Sequence, residues 1–184
     1  MLFQTIHDIA LMLDRERAGR EASPSAGVLD SQTFKAPAPG AKRGYDAAKR
    51  TVGRKRHVAV DTDGRLLMIN LTPADISDSA GAQMILDAVH KRWPWVKHLF
   101  ADGAYDRTQL MDKAVFLDFV IEVVRRIDNE PGFRVLPRRW VVERTFGWLI
   151  RWPRLVRDYE QRLDVSEAMI QVAMGSLLLR RISH

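Results

Sequence analysis

Residues 57–71 have the sequence HVAVDTDGRLLMINL, and this stretch decides the kind of fold that the chain can adopt. Two apolar runs, 57–60 and 65–71, flank the dipeptide Asp63-Gly64. Asp-Gly between apolar runs is a strong signal for a two-residue turn, because both central positions of that turn need a positive φ angle. The stretch therefore predicts a β-hairpin of two antiparallel strands.

Other apolar runs on either side of this hairpin have the lengths of strands and helices. We predict strands over 26–34, 96–101 and 119–124, and helices over 2–20, 77–93, 108–114, 138–151 and 166–181. Strands that are separated by helices pair in parallel, whereas the strands of a hairpin pair antiparallel. The predicted fold class is therefore α/β, with a mixed sheet flanked by helices.

The charge of the chain favours a polyanionic partner. Lys and Arg number 29 against 23 Asp and Glu, which gives a formal net charge of +6. The segment 34–58 holds eight basic residues and one acid, and the segment 138–162 holds seven arginines and three acids. A basic balance of this kind suits nucleic acid without identifying it.

Composition also excludes several kinds of site and location. With 184 residues, of which 46% are hydrophobic, the chain is expected to form one ordinary domain with a real core. Because cysteine is absent, disulfides and thiolate metal sites are excluded, and a metal would bind through oxygen or imidazole. The sequence has no signal-peptide pattern and no apolar run of about 18 residues. We therefore predict a cytoplasmic protein.

Three carboxylates stand apart from the basic segments that surround them. Asp30 and Asp102 each follow a short apolar strand, and open α/β sheets bind ligands at that end of their strands. Glu143 lies on the helix predicted from RRWVVERTFGWL, residues 138–149, at the edge of its apolar face. Gly147 follows one turn later. A glycine inside a helix costs about 1 kcal/mol against alanine, which suggests that bulk is unwelcome beside the carboxylate.

Each carboxylate also has a structural interpretation that involves no ligand. Asp30 and Asp102 could cap backbone amides of the turns that follow them. Glu143 could pair with Arg139 on a solvated helix surface, for about 0.3 to 0.5 kcal/mol. If the helix of Glu143 packs against the same edge of the sheet, however, the three acids form an oxygen-only site. Mg²⁺ prefers such sites, and two ions about 4 Å apart serve phosphodiester chemistry.

Five blocks of the sequence carry a family resemblance. They are Leu29-Asp30-Ser31-Gln32-Thr33, Gly44-Tyr45-Asp46, residues 53–57 with Val60-Asp61, Ala101-Asp102-Gly103-Ala104-Tyr105, and residues 138–146. In this order they resemble the blocks of bacterial insertion-sequence transposases of the DDE type. The resemblance is to insertion-sequence family five, within the wider group that also contains family four, and it extends from about Ile6 to the C-terminus.

The resemblance implies a ribonuclease H-like fold in which Asp30, Asp102 and Glu143 form the catalytic and metal-binding triad. It also implies two Mg²⁺ or Mn²⁺ ions as cofactors. The implied reaction is cleavage at transposon ends by activated water, followed by attack of the freed 3′-hydroxyl on target DNA. Double-stranded DNA would then be the partner, and a homodimer assembled on that DNA would be the acting unit.

The last block departs from the family pattern at two positions. The wider group has tyrosine, arginine, glutamate and lysine at set intervals. Arg139 precedes Glu143 as the pattern requires, but Leu136 takes the place of the tyrosine and Ile150 that of the lysine. Arg151 is next to the lysine position and is the candidate replacement.

Family members usually carry a further N-terminal region that helps to recognise the ends of the element. We predict that residues 1–25, a helix and a connector, are the remnant of such a DNA-binding region and that residues 26–184 form the catalytic domain. The chain would then be a downstream reading frame whose upstream-frame partner supplies end recognition, or a truncated or decayed copy. The second origin leaves a catalytically inactive DNA-binding regulator as the alternative function. Ribonuclease action on RNA–DNA hybrids is a third, since the same fold and metals would serve.

The cations of the basic segments are the predicted DNA contacts. The run 54–56 is the clearest of them, because adjacent cations repel one another unless an anion is present. A merely solvated run of charge is the alternative for these three residues. The complete predicted set is Lys42, Arg43, Arg54, Lys55, Arg56, Arg138, Arg139, Arg144 and Arg151.

Five further polar and aromatic residues each have a structural and a functional interpretation. Asp61 and Asp63 flank the predicted turn, and a structural role is favoured for both. His57 fits a half-buried strand position, with an approach to DNA or metal as the alternative. Trp148 is expected in the core, whereas Trp140 is divided evenly between the core and stacking on an unpaired base.

Overall fold

The structure, a computed structural model, describes residues 2–38, 40–125 and 139–184, and of Arg139 it describes the backbone alone. The strands are β1 Ala26–Lys35, β2 Gly44–Asp46, β3 Thr51–Asp61, β4 Leu66–Pro73, β5 His98–Ala101 and β6 Val120–Val123. The helices are α1 Leu2–Arg17, α2 Asp78–Arg92, α3 Thr108–Phe116, α4 Arg139–Ile150, α5 Pro153–Val156 and α6 Leu163–Ile182. No helix in these ranges is both long and apolar enough to cross a membrane.

The strands form one mixed sheet in the order β2-β3-β1-β5-β6, and β4 also pairs with β3. Strands β1 to β4 pair antiparallel where they meet, whereas β5 pairs in parallel with both β1 and β6. The predicted mixture of an antiparallel hairpin with parallel strands is therefore confirmed. The short strand β2 was missed, because its three residues were assigned to a basic loop.

The predicted hairpin is β3–β4, but its turn differs from the predicted two-residue form. The backbone N–H of Asp61 donates to the carbonyl oxygen of Arg65 at 2.8 Å, so three residues separate this pair. Gly64, the last of the three, has a φ of +85°. A three-residue loop that ends on a left-handed glycine is the next commonest hairpin connection. The Asp-Gly signal thus located the turn correctly and gave the wrong length.

The two faces of the sheet carry separate hydrophobic cores. On one face, Leu29 and Ala59 pack with the buried side of α2 and with Tyr105; this is the α2-side core. On the other face, Val28 and Val58 pack with buried residues of α4 and α6; this is the α4-side core. Successive residues of a strand point to opposite faces, so the alternation of apolar residues along β1 supplies both cores. Helices flank the sheet on both sides, as predicted.

Helix α1 packs as part of the same body rather than as a separate unit. Its Leu11 is fully buried in the α2-side core. Asp14 accepts a hydrogen bond from Arg65 at 2.7 Å, and Arg15 pairs with Asp61, so buried ion pairs join α1 to the hairpin. The division at residue 25 consequently stays a prediction about the origin of the segment.

Candidate active site

Asp30 and Asp102 lie just beyond the residues that pair β1 with β5 in parallel. Asp102 follows β5, but Asp30 lies inside β1, which continues to Lys35, so the prediction that Asp30 follows its strand is wrong. In the β1–β5 pairing, Val28 lies opposite Phe100, and each aspartate comes two residues later on its own strand. Because side chains alternate between faces, both aspartates lie on the sheet face that carries Val28 and Phe100, which is the α4-side face. The two carboxylates line one pocket, together with Val124 after β6.

Asp102 also fulfils the capping role that was its alternative interpretation, whereas Asp30 is followed by strand residues and caps no turn. Asp30 Oδ1 accepts a hydrogen bond from the Ser31 backbone N–H at 2.7 Å. Asp102 Oδ1 accepts one from the Ala104 N–H at 2.9 Å and caps a 3-10 turn, Gly103–Tyr105. A carboxylate accepts about four hydrogen bonds or metal contacts, so a cap and a ligand do not compete for the same lone pair.

Glu143 lies on α4, which packs on the same face of the sheet. Thr145 Oγ1 donates to the Gly64 carbonyl oxygen at 2.7 Å, so this side of α4 meets the β3–β4 turn. Since β1 and β3 are antiparallel, that turn lies beside the start of β1. At about 100° per residue, Glu143 lies about 160° around the helix from Thr145. Glu143 is exposed and lies on the side of α4 that faces away from the turn.

Gly147 does not owe its small size to a protein neighbour. A Cβ atom added there would meet no atom within 4 Å, so the inference that bulk is unwelcome beside Glu143 has no cause among the described protein atoms. Open space does lie next to this part of α4.

A divalent cation at this site would bind through carboxylate oxygens. Among the described residues, no group of three or more His, Cys, Asp or Glu side chains could hold a metal ion. Asp30 and Asp102 nevertheless share a pocket, and Mg²⁺ typically takes one or two protein carboxylates and fills its other positions with water and substrate phosphate. The two aspartates therefore fit the cation that the sequence predicted, while Glu143 stays a prediction as the third ligand.

Tyr105 is a residue of this region to which the sequence analysis assigned no role. Its side chain is 2% exposed, so its phenolic oxygen is buried with the ring. Burial, and after it the carboxylates of Asp30, Asp78 and Asp102, raise its pKa well above the usual range. Its position three residues after Asp102 was the available signal, since a 3-10 turn returns the third residue to the strand end.

A polar network lies on the α2 side of the same strand end. Ser31 Oγ donates to Asp78 Oδ1 at 2.7 Å, and Lys55 Nζ lies 3.0 Å from the same oxygen. Burial alone would raise the pKa of Asp78, but the hydrogen bonds from Ser31 and Lys55 outweigh it and lower that pKa. Asp78 is therefore a charged group with its partners already in place.

The assignment of Arg54, Lys55 and Arg56 as DNA contacts is wrong, because all three side chains are buried in the protein. Arg54 is 0% exposed; its guanidinium lies 2.6 Å from Asp158 and donates to the backbone carbonyls of residues 42, 160 and 161. Arg56 is 1% exposed and stacks over the ring of Phe34, and burial lowers its pKa to about 10. The anions that the three adjacent cations require are supplied from inside the fold.

The remaining predicted DNA contacts differ in their exposure. Lys42, Arg43 and Arg151 are exposed. Arg144 is half-buried; it donates to the Asp63 carbonyl oxygen at 2.6 Å and lies over the rings of Trp140 and Trp148. Arg138 and the side chain of Arg139 lie outside the described residues.

His57, Asp61 and Asp63, for which a structural role was favoured, all have partners within the fold. His57 is buried rather than half-buried; its Nε2 lies 2.9 Å from Thr72 Oγ1, and burial lowers its pKa to about 4. Asp61 is fully buried and pairs with Arg15 and Arg65. Asp63 pairs with both Arg20 and Arg65.

The two tryptophans of α4 differ in burial. Trp148 is partly buried and packs against the α4-side core, with Arg181 over its ring at 4.4 Å. Trp140 is 45% exposed, so its indole is covered by Arg144 on one side and is otherwise accessible. The core position expected for Trp148 is therefore found in part, and Trp140 lies outside the core.

The strand order, its mixed direction and the helices on both faces define the ribonuclease H-like class of fold that was predicted. The fold is similar to a chain in the cryo-EM structure of the simian T-cell lymphotropic virus intasome in complex with PP2A regulatory subunit B56 gamma. The TM-score is 0.55 at 20% identity, and the match covers 84% of this chain and 48% of that chain. This likeness supports the fold alone.

The sequence comparisons identify the family. Residues 21–178 match the family described as Transposase DDE domain, and the chain belongs to this family. A Burkholderia cepacia protein named as a transposase for insertion sequence element IS402 is 28% identical over 161 residues, which are 79% of this chain and 70% of that protein. The predicted resemblance to DDE-type insertion-sequence transposases is confirmed, and membership of family five within that group stays a prediction.

Proposed function

We propose that this chain cleaves DNA at the ends of an insertion sequence and joins the freed 3′ ends to target DNA, with Asp30, Asp102 and Glu143 as catalytic and metal-binding residues. The observation that carries the proposal is the shared pocket of Asp30 and Asp102, just beyond the paired residues of two neighbouring parallel strands. Membership of the DDE transposase family supports the same chemistry.

The residues of the pocket have separate tasks in this mechanism. Asp30 and Asp102 would hold one or two Mg²⁺ or Mn²⁺ ions, with Glu143 joining them from α4. Such ions supply a water of lowered pKa and stabilise the leaving oxygen of a phosphodiester. Val28 and Phe100 would form apolar walls of the pocket beside the reacting phosphate.

Double-stranded DNA, both element ends and target, is the proposed substrate. Lys42, Arg43 and Arg151 are exposed cations that can reach phosphates, and Arg144 offers its guanidinium face between two indoles. Arg151, one position from the lysine of the family pattern, is proposed to replace it. We further propose that the chain acts as a homodimer on DNA and that an upstream-frame partner supplies recognition of the ends.

Cleavage of a transposon-end duplex by the aspartate variants tests the proposal. Asp102→Asn should abolish Mg²⁺-dependent nicking while DNA affinity stays within about twofold, because the change removes a ligand and keeps the shape. Asp112→Asn is the matched control, since Asp112 is an exposed aspartate on α3, away from the pocket. Nicking by Asp102→Asn at the wild-type rate would refute the assignment.

A catalytically inactive DNA-binding regulator is the second candidate. One observation favours it: within the described ranges, three metal-binding side chains do not gather at one point. This function predicts DNA binding that weakens steeply with salt, without cleavage in either Mg²⁺ or Mn²⁺. The cleavage assay on the wild-type chain separates the two candidates.

A further inference from the structure

Gln32 lies on the same face of the sheet as Asp30, and the mechanism above does not use it. Val28 and Phe34 of β1 both belong to the α4-side core, so Asp30 and Gln32, the alternate residues between them, share that face. Alternate residues of a strand are about 7 Å apart. In the part of the chain that the structure describes, β5 pairs with β1 only as far as Val28, so Gln32, like Asp30, lies beyond that pairing.

Arg56 fixes which end of the Gln32 amide is free. The two residues lie directly opposite each other in the β1–β3 pairing, and Arg56 Nη1 donates to Gln32 Oε1 at 3.1 Å. A guanidinium carries donors only, so it can bond the oxygen of an amide but not its nitrogen. No described residue accepts a hydrogen bond from Gln32 Nε2. Since the side chain is only partly buried, the two N–H groups of this nitrogen are open to a ligand.

The charge of Arg56 reaches the surface only through Gln32. Arg56 is 1% exposed, and its guanidinium donates to two neutral oxygens, that of the Gln32 amide and the carbonyl oxygen of Leu155. An amide whose oxygen accepts from a cation is polarised, so its own N–H groups become stronger donors. Gln32 therefore presents strengthened donors on behalf of a cation that no ligand can contact directly.

An oxygen anion is the ligand that such donors suit. The proposed substrate brings one to this face of the sheet, because the reacting phosphate would be bound beside Asp30. Side-chain amides are among the groups that donate to phosphate oxygens in complexes of proteins with DNA. The spacing of about 7 Å between alternate strand residues leaves room for a phosphate between the two side chains.

We propose that Gln32 is a DNA-binding residue of this site, whose amide N–H donates to a non-bridging oxygen of the phosphate bound beside Asp30. The inference rests on the proposed function of the chain. Arg56 would be a positioning residue that acts through Gln32 and does not touch DNA. Gln32 would contact the phosphate and would not bind metal through its oxygen, because that oxygen is already bonded to Arg56.

The test is Gln32→Glu, which keeps an oxygen for Arg56 and replaces the N–H donors by an oxygen that repels phosphate. The Kd for a labelled transposon-end duplex is measured by fluorescence anisotropy in Mg²⁺, with Asp102→Asn in both chains so that the duplex stays intact. A hydrogen bond to a charged group contributes about 10- to 100-fold in affinity, so the Kd should rise about 10-fold or more. In the chain without Asp102→Asn, kcat/KM for nicking should fall by at least as much.

Urea denaturation distinguishes this role from a merely structural one. Gln32→Glu should be as stable as wild type or more stable, because Arg56 gains a charged acceptor in place of a neutral one. If Gln32 served only to accept from Arg56, the same variant would be stable and would also bind and nick the duplex as wild type does.

The controls separate this inference from the proposed function. Gln109→Glu makes the same change of charge at an exposed glutamine on α3, away from the pocket, and should leave the Kd within about twofold because salt screens distant exposed charges. If wild type nicks the duplex and Gln32→Glu binds and nicks it equally well, the inference fails and the proposed function stands. If wild type nicks in neither Mg²⁺ nor Mn²⁺, both fail.

A change in the DNA covers the case in which Gln32→Glu does not fold. A methylphosphonate at the cleaved position replaces one non-bridging oxygen by a methyl group, and its two stereoisomers replace different oxygens. With Gln32 unaltered, one stereoisomer should bind the Asp102→Asn chain about 10-fold more weakly than the phosphate duplex. Equal binding of both stereoisomers and the phosphate duplex would overturn the inference. In Gln32→Glu the same stereoisomer should cost little further affinity, and an undiminished cost would assign the contact to another residue.

Discussion

Asp30 with Asp102 and the basic run 54–56 were both conspicuous in the sequence, and they occupy opposite kinds of environment. Asp30 lies inside β1 and Asp102 follows β5, and both line one pocket just beyond the parallel pairing of these strands. The side chains of 54–56 lie within β3, which is paired along both edges and covered by packed elements. A charge that lines a pocket stays accessible to a ligand, whereas a charge inside a covered strand must find its partner within the protein.

The largest expected effect concerns the buried pair on β3. Arg54→Ala should lower the free energy of unfolding by about 3–5 kcal/mol, because it leaves the carboxylate of Asp158 buried without its partner. Urea denaturation measures the change. Arg43→Ala, which removes an exposed arginine, should stay within about 0.5 kcal/mol of wild type. Equal losses in the two variants would contradict the distinction between the regions.

His57 sharpens the same comparison through pH. Its folded pKa of about 4 lies below its unfolded value of about 6.5, so between these values the unfolded chain binds the extra proton. Stability is therefore full above about pH 6.5 and falls as the pH drops, by about 3 kcal/mol at pH 4. Urea denaturation of wild type and His57→Gln between about pH 4 and about pH 6.5 measures this loss of stability. The variant should lose this part of the slope, and identical slopes would show that His57 is not responsible.

The pocket of Asp30 and Asp102 predicts a smaller effect, which is a gain in stability when metal binds. Mg²⁺ at about 100 times its Kd should stabilise the wild-type chain by about 2.7 kcal/mol. Asp30→Asn should abolish this gain, and Asp112→Asn should keep it, because the first lines the pocket and the second does not. Thermal unfolding with and without Mg²⁺ provides the measurement. A gain that survives in Asp30→Asn would remove the aspartate from the site.

The smallest effects are expected at the exposed cations. Lys42→Ala and Arg43→Ala should each reduce the slope of log K against log salt concentration by about 1, since each would release about one counterion on binding DNA. Fluorescence anisotropy of a labelled duplex at several salt concentrations measures the slope. Lys91→Ala, a substitution of another exposed lysine, is the control away from the basic loop. Unchanged slopes in both variants would remove the loop from the DNA interface.

Local patterns predicted the elements that local forces determine. The alternation of apolar residues and the Asp-Gly signal predicted the β3–β4 hairpin, and Ser77 was correctly predicted to open α2, where its hydroxyl accepts from the Ala80 N–H. The length of the turn was wrong, because it depends on how Asp61 pairs with Arg65 across the loop. The burial of Arg54 could not be predicted, since its partner Asp158 is 104 residues away along the chain.

The sequence by itself determined the fold class and the family, because these depend on periodicity, turn chemistry and motif order within short windows. Tertiary structure decided which charges are available to a ligand. It buried 54–56 against distant acceptors and left Lys42 and Arg43 exposed. Whether a charged group is satisfied depends on atoms brought together across the whole chain, and the local sequence does not contain them.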